Sequence, residues 1–203
     1  MSEKTDRIIE EFGYSSGKPK KTQSQISDKV QGRDLFQTPN YATDLLVPFI
    51  PKDVKWIWEC ASGDGKIMNR LQESGYIVLG TDLQYGDAYN FLGNLVPITT
   101  IDAIITNPPY SLKYKFIDKA LKMDVPFAFL IPFDMCQKMA RLFMDYGVEG
   151  IVPTKRIDYI TPSGLSGATG NTAYYHSFWL TYKFNLGNQL TFVELTKDMK
   201  ENI

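Results

Sequence analysis

The residues with the most telling chemistry lie between Asp102 and Tyr110, where an apolar stretch, Ala103-Ile104-Ile105-Thr106, runs into Asn107-Pro108-Pro109-Tyr110. Proline has no backbone N–H and a nearly fixed φ, so the chain leaves the stretch in a stiff elbow whose carbonyls remain free to accept hydrogen bonds. Asn107 adds a side-chain acceptor and Tyr110 adds a flat ring. An exocyclic amino group on a planar ring, such as N6 of adenine, has two hydrogens to donate and a π-face to stack, and these residues complement it. The same letters also describe a plain strand followed by a Pro-Pro turn, because short motifs recur by accident.

A second motif lies upstream. Trp56-Ile57-Trp58-Glu59 reads as a buried strand opening into Cys60-Ala61-Ser62-Gly63-Asp64-Gly65, a glycine turn that permits sharp bending and close approach of a ligand. The spacing of Ile67, Met68 and Leu71 predicts a helix after it. A dinucleotide fingerprint would place a third glycine where Met68 stands, which disfavours a pyrophosphate cofactor. The next predicted strand, from Tyr76, ends in Asp82, where a carboxylate can grip both hydroxyls of a ribose.

Taken together, these residues resemble the S-adenosylmethionine-dependent amino methyltransferases, whose adenine-N6 branch carries an Asn-Pro-Pro-Tyr catalytic motif. The resemblance covers most of residues 34 to 184. It implies that Glu59 to Gly65, Ala61 among them, form the first cofactor motif, with Glu59 near the methionine amino group and Gly63 and Gly65 under the methionine and ribose. It implies that Asp82 binds the ribose, that Asp87 bonds the cofactor adenine, and that a neighbouring apolar residue such as Phe91 packs on that ring. Phe36-Gln37-Thr38-Pro39 resembles the motif lining the methionine end of the pocket, so Phe36, Thr38 and Pro39 are expected there, and Asn107 borders the same cofactor. Asn107, Pro108, Pro109 and Tyr110 are the expected catalytic residues. The transfer is expected to be in-line from the sulfonium methyl to the nitrogen, with Asn107 and the Pro108 carbonyl accepting the amino hydrogens. Tyr110 would stack on the target ring, Phe133 would form the opposite wall, and Lys113 would contact substrate.

The order of the motifs resembles the γ-type arrangement of DNA methyltransferases. Such enzymes often carry a large target-recognition region, and little sequence follows residue 184 here. The expected activity is methyl transfer to adenine N6 in DNA. The alternatives are the same chemistry on RNA adenine or on a protein glutamine, or a non-catalytic subunit that binds nucleic acid or a partner. The core is then expected to read a short target with its loops, to act with low specificity, or to borrow recognition from a specificity partner or a second copy in a homodimer.

Strands of apolar residues alternating with helical stretches predict an α/β, Rossmann-like doubly wound sheet, mostly parallel, the class I methyltransferase fold. Sites then fall at the carboxyl ends of the strands. Expected strands are Trp56 to Glu59, Ile77 to Thr81, Ala103 to Thr106, Phe127 to Ile131, Arg156 to Ile160, Tyr175 to Tyr182 and Leu190 to Glu194, the last two as an antiparallel edge hairpin. Expected helices are Thr43 to Phe49, Gly65 to Ser74, Ser111 to Met123 and Asp134 to Tyr146. Tyr174, Tyr175, Phe178 and Trp179 read as core and sheet surface in preference to a base-stacking platform, with room for one of them to line the target pocket, and the glycine-bearing stretch 161–172 reads as either a surface connection or a substrate-contacting loop.

With 203 residues, 43% of them hydrophobic, the chain can bury a substantial core. Residues 1–33 read as a polar tail, and 34–203 as one catalytic domain. A net charge of −1 is not the footprint of a strong non-specific nucleic-acid binder, although a local cluster such as Lys113, Lys115 and Lys119 can still steer a duplex. The two cysteines and lone His176 have no metal-ligand spacing, so no metal is expected. No apolar run is long enough to span a bilayer, so no membrane association and a cytoplasmic location are expected.

Overall fold

The computed structural model describes residues 37–93, 100–161, 164–165 and 175–201. The expectations for the tail 1–33, for Phe36, for Tyr174 and for most of the 161–172 stretch lie outside the described residues. The described elements, in order, are α1 (Asn40–Asp44), β1 (Trp56–Glu59), α2 (Lys66–Glu73), β2 (Ile77–Gly80), β3 (Ala103–Thr106), α3 (Lys113–Met123), β4 (Phe127–Pro132), α4 (Gln137–Tyr146), β5 (Glu149–Pro153), β6 (Ile160–Thr161), β7 (Gly164–Leu165), β8 (Ser177–Tyr182), β9 (Leu190–Val193) and α5 (Lys197–Glu201).

Seven of these strands form one sheet in the order β2-β1-β3-β4-β8-β5-β9. The pairs β2–β1, β1–β3, β3–β4 and β5–β9 are parallel, and β8 runs antiparallel to both its neighbours. The chain therefore has an α/β, Rossmann-like doubly wound fold built on a mostly parallel sheet. The sheet separates two apolar layers. Phe127, Phe129 and Ile131 of β4 point into one layer, with Phe116, Ile117, Leu142 and Phe143 from α3 and α4. Ala128 and Leu130, at the alternate positions, point into the other with Tyr41, Ala42, Ile67 and Leu71 from α1 and α2. This period of two on a strand covered on both faces explains why β4 is apolar at every position.

Two expectations about the sheet are corrected. The last two strands do not form an edge hairpin: β8 is inserted between β4 and β5, and β9 pairs in parallel with β5. Phe178, Trp179 and Leu180 are buried on both faces of the sheet, which an edge position would leave half in water. The strand expected at Arg156 to Ile160 is instead Glu149–Pro153, and only Ile160 of the expected stretch is in a strand. Gly150 and Pro153 disguise β5 as a loop. Yet glycine is required within it, because a Cβ at Gly150 would lie 2.9 Å from both Phe178 Cε2 of β8 and Leu190 Cδ2 of β9.

Helix boundaries follow local chemistry. α2 starts directly after Gly65, whose φ of +79° suits glycine, and α3 is preceded by a short 3₁₀ turn, Tyr110–Leu112. The helix expected from Thr43 is two pieces, α1 and a 3₁₀ turn at Val47–Phe49 that contains Pro48. α4 begins after Cys136 rather than at Asp134, and α5 had no counterpart among the expected elements. No helix among the described residues is long and apolar enough to cross a membrane.

Candidate active site

Because β2, β1, β3 and β4 are parallel neighbours, their carboxyl ends meet along one edge of the sheet. Asp82 follows β2, Glu59 and the glycine turn end β1, the Asn107–Tyr110 elbow follows β3, and Phe133 follows β4. Residues far apart in sequence thus share one rim.

The glycine turn is built by backbone bonds. Thr81 N donates to Glu59 O at 2.9 Å, Ser62 N to Thr81 O at 3.0 Å, and Gly65 N to Ser62 O at 2.7 Å. Gly63 has φ +49°, and a Cβ there would meet the Gln37 amide at 3.3 Å. Met68, at the position that excludes a dinucleotide fingerprint, puts its sulfur 2.7 Å from where a Gly80 Cβ would stand and its methyl 3.2 Å from a Gly65 Cβ. A bulky thioether therefore fills the space that a pyrophosphate-binding turn keeps open.

The Asp82 carboxylate faces this turn. Gly63 N donates to its Oδ2 at 2.8 Å and Gln84 N to its Oδ1 at 2.9 Å. Each carboxylate oxygen retains a lone pair for a further donor. The Gly63 carbonyl accepts from Gln84 Nε2 at 2.7 Å and from the Tyr85 hydroxyl at 3.1 Å, so both residues after Asp82 brace the turn. Asp87 is exposed at the start of the 3₁₀ turn Asp87–Tyr89, and Ala61 is half-buried against the core.

Glu59 is 1% exposed, and its Oε2 has no hydrogen-bond partner within the described residues. Burial pushes its carboxyl well above the usual glutamate range. A hydrogen bond from the Met68 backbone N–H works in the opposite direction, and the nearby Asp82 charge adds to the rise. A buried acid with an orphaned oxygen at a helix N-terminus is a costly arrangement unless a donor arrives.

On the elbow, Asn107 Nδ2 donates to Thr38 Oγ1 at 3.1 Å. Among the described residues Asn107 Oδ1 is buried without a partner, as Glu59 Oε2 is. Thr38, 4% exposed and just before the N-cap Pro39 of α1, thus fixes which way the amide points and leaves the acceptor unused. Thr38→Val keeps the side-chain shape and removes the acceptor for Nδ2. If Asn107 Oδ1 accepts a hydrogen from substrate, the variant should lower kcat about tenfold, from the typical worth of one hydrogen bond, a larger effect than on cofactor affinity. Steady-state kinetics with a separate cofactor titration checks this.

Three expected site residues stand elsewhere than anticipated. Phe91 is 2% exposed, with its ring against Trp58 (centroids 5.2 Å) and Phe116 (4.7 Å), so it belongs to the core and offers no free face to a base. Lys113 is 8% exposed and its Nζ is paired with Asp134 Oδ2 at 2.8 Å, so it braces α3 against the segment after β4 instead of reaching for substrate. Lys119 is likewise turned inward, donating to the carbonyls of Phe91 and Gly93. Lys115 is exposed. Phe133 is half-buried, edge-on to Phe178 at 4.9 Å, with its N–H donating to His176 O.

Sequence reasoning passed over Tyr159 and Ser177. The Tyr110 hydroxyl donates to Tyr159 Oη at 2.7 Å and lies 3.4 Å from Ser177 Oγ. No local signal marks either residue, because the contact joins three separate segments. Among the described residues no group of three His, Cys, Asp or Glu side chains could hold a metal ion.

Fold and site together define a Rossmann-like α/β protein in which a glycine turn, an acid after β2 and an amide–diproline–tyrosine elbow after β3 share one rim. No protein-family model matches the chain, and no curated protein does. Among solved structures it is similar to the methyltransferase subunit of a type I restriction-modification system from Streptococcus thermophilus, at 13% identity over 82% of this chain and 52% of that one, with a TM-score of 0.49. It is also similar to a dimethyladenosine transferase from Plasmodium falciparum, at 10% identity over 72% of this chain and 62% of that one, with a TM-score of 0.39. The match thus spans about half the length of the first structure and under two thirds of the second.

Proposed function

We propose that this chain is an S-adenosylmethionine-dependent methyltransferase acting on N6 of adenine in DNA. The observation that carries the reading is a pair of buried oxygens on one rim that have no partner among the described residues, Asn107 Oδ1 beside the diproline elbow and Glu59 Oε2 beside the glycine turn. The first suits an amino group to be methylated and the second suits an ammonium group on the donor.

The residues fit this cofactor. Glu59 would hold the methionine amino group, which satisfies its orphaned oxygen. Gly63 and Gly65 would let the ligand approach the backbone, with Thr38 and Pro39 bordering its methionine end. Asp82, already oriented by two backbone N–H groups, would accept from the ribose hydroxyls, and Asp87 would meet the adenine. Asp82→Asn should weaken S-adenosylmethionine binding about 10- to 100-fold, the usual range for losing a charge-assisted bond; calorimetric titration measures it.

When bound, S-adenosylmethionine supplies a methyl group on a positively charged sulfur. The chain's own residues must make a poor nucleophile attack it, since the lone pair of an aromatic amine is delocalised into the ring. Asn107 Oδ1 and the Pro108 carbonyl would accept the two amino hydrogens, favouring a tetrahedral nitrogen and stabilising its developing positive charge. Pro109 keeps the elbow stiff, and Tyr110 would support the target ring opposite Phe133. The proton left on nitrogen after methyl transfer passes to solvent. In a duplex the base must first leave the stack, at a cost of a few kcal/mol that the pocket offsets.

The test is to incubate the protein with radiolabelled S-adenosylmethionine and, separately, duplex DNA, single-stranded DNA, RNA and a protein extract, and to identify the methylated product by mass spectrometry. N6-methyladenine in DNA is the expected product. Label confined to RNA adenine or to protein glutamine would keep the chemistry and replace the substrate. Cofactor binding without transfer to any acceptor would favour the binding-only role or a missing recognition partner.

A further inference from the structure

Tyr110 is a half-buried residue whose hydroxyl turns inward. Its phenol donates to Tyr159 Oη at 2.7 Å, and the two rings meet edge to face with centroids 6.4 Å apart and planes at 77°. Tyr159 is 3% exposed, Ser177 at the start of β8 is 1% exposed, and the Tyr110 hydroxyl lies 3.4 Å from Ser177 Oγ. A tyrosine that serves only as an apolar surface would leave its hydroxyl in water at no cost. Here the polar tip is pinned, which fixes the χ1 swing that carries the ring. Oη lies on the χ2 axis, so the plane is held by the preference of the phenolic O–H for that plane and by the edge-to-face contact with Tyr159.

The pin works only if its far end is fixed, and the segment around Tyr159 belongs to no long strand or helix. It is held from three sides instead. Asp158 N donates to Tyr41 Oη of α1 at 2.7 Å. Lys200 Nζ of α5 bonds Asp158 Oδ2 at 2.7 Å and Arg156 O at 2.6 Å. Ile160 exchanges both backbone bonds with Gln37, at 2.8 and 3.0 Å. Irregular backbone with this many attachments is rigid backbone, able to hold the Tyr159 side chain steady against Tyr110.

We infer that Tyr159, assisted by Ser177, is a positioning residue that sets the orientation of the Tyr110 ring against the methyl acceptor, an inference that rests on the methyl-transfer reading. Tyr159 itself touches neither cofactor nor acceptor. It acts through Tyr110, as Thr38 acts through Asn107. Both functional side chains of the elbow are thus aimed by hydroxyl groups from other segments, one from before α1 and one from after β5.

A double-variant cycle with Tyr159→Phe and Tyr110→Phe tests this, because both substitutions keep the rings and delete the same bond from opposite ends. Single-turnover transfer from labelled S-adenosylmethionine to duplex DNA should fall about tenfold in each single variant, and no further in the double, with S-adenosylmethionine affinity within about twofold of wild type. Side-chain couplings of Tyr110 in protein carrying ¹³C-labelled tyrosine, assigned through Tyr110→Phe, should report a single χ1 rotamer in wild type and averaging between rotamers in Tyr159→Phe. Unchanged transfer in Tyr159→Phe, or losses that multiply in the double variant, would overturn the inference. Should the wild type methylate none of the acceptors even with S-adenosylmethionine bound, the methyl-transfer reading fails for this chain acting alone. The side-chain couplings then decide the tether separately, and identical Tyr110 rotamer averaging in wild type and Tyr159→Phe would refute it.

Discussion

Asn107→Ala should lower methyl transfer by about two to three orders of magnitude, the range seen when one preorganised group facing developing charge is deleted. The amide Oδ1 is buried with no partner among the described residues, while Nδ2 is committed to Thr38 Oγ1 at 3.1 Å. Alanine removes an orphaned acceptor, so the variant should fold at least as well as wild type and bind S-adenosylmethionine with little change. The measurement is a rapid-quench assay under single turnover, with the cofactor dissociation constant determined in parallel. Transfer that survives the substitution would remove Asn107 from the chemistry. A parallel collapse of cofactor affinity would make it a cofactor residue instead.

Glu59→Gln should weaken S-adenosylmethionine binding about 10- to 100-fold, the cost of replacing a charged acceptor by a neutral one at a buried site, and should raise the stability of the ligand-free protein at neutral pH. The second effect follows from the direction of the Glu59 shift. Its carboxyl is held well above the ordinary glutamate range by burial, so as pH rises past that range the unfolded chain gives up the proton while the folded one retains it. The folded state then binds more protons than the unfolded, and stability falls with rising pH until the folded group ionises. Glutamine cannot ionise and escapes this penalty. The melting temperatures of variant and wild type should therefore converge under acidic conditions, below the glutamate range, and separate at neutral pH with the variant higher. Binding of a cationic amino group requires the ionised acid, so wild-type cofactor affinity should climb with pH through the raised pKa, and the variant's should stay flat. Thermal melts and calorimetric titrations across pH measure both. A variant less stable than wild type at neutral pH would contradict the burial argument.

These two residues were legible in the sequence because each closes a strand that announces itself locally. Trp56–Glu59 and Ala103–Thr106 have the expected limits, and the helix expected from Gly65 to Ser74 is present as Lys66–Glu73. Apolar runs, glycines that permit positive φ, and prolines that forbid helix act over a few residues, so one stretch of chain suffices to read them. The placement of both motifs on one rim also followed, since parallel strands joined by helices bring their carboxyl ends together.

What the sequence could not express was who would answer each side chain from across the molecule. Lys113 reads as a free cation until Asp134 is placed 2.8 Å away, and Phe91 reads as a cofactor platform until Trp58 and Phe116 close over it. Gly150 and Pro153 hide β5 because glycine there answers Phe178 and Leu190, which arrive from later strands. The same holds for Thr38 on Asn107 and Tyr159 on Tyr110. By itself, then, the sequence determined which local elements form and where the amide elbow, the glycine turn and the two acids stand along them, because those depend on backbone chemistry over a few neighbours. Only the tertiary structure decided which of those groups stay unsatisfied and available, because burial and hydrogen-bond partners are set by long-range packing that no local spacing encodes.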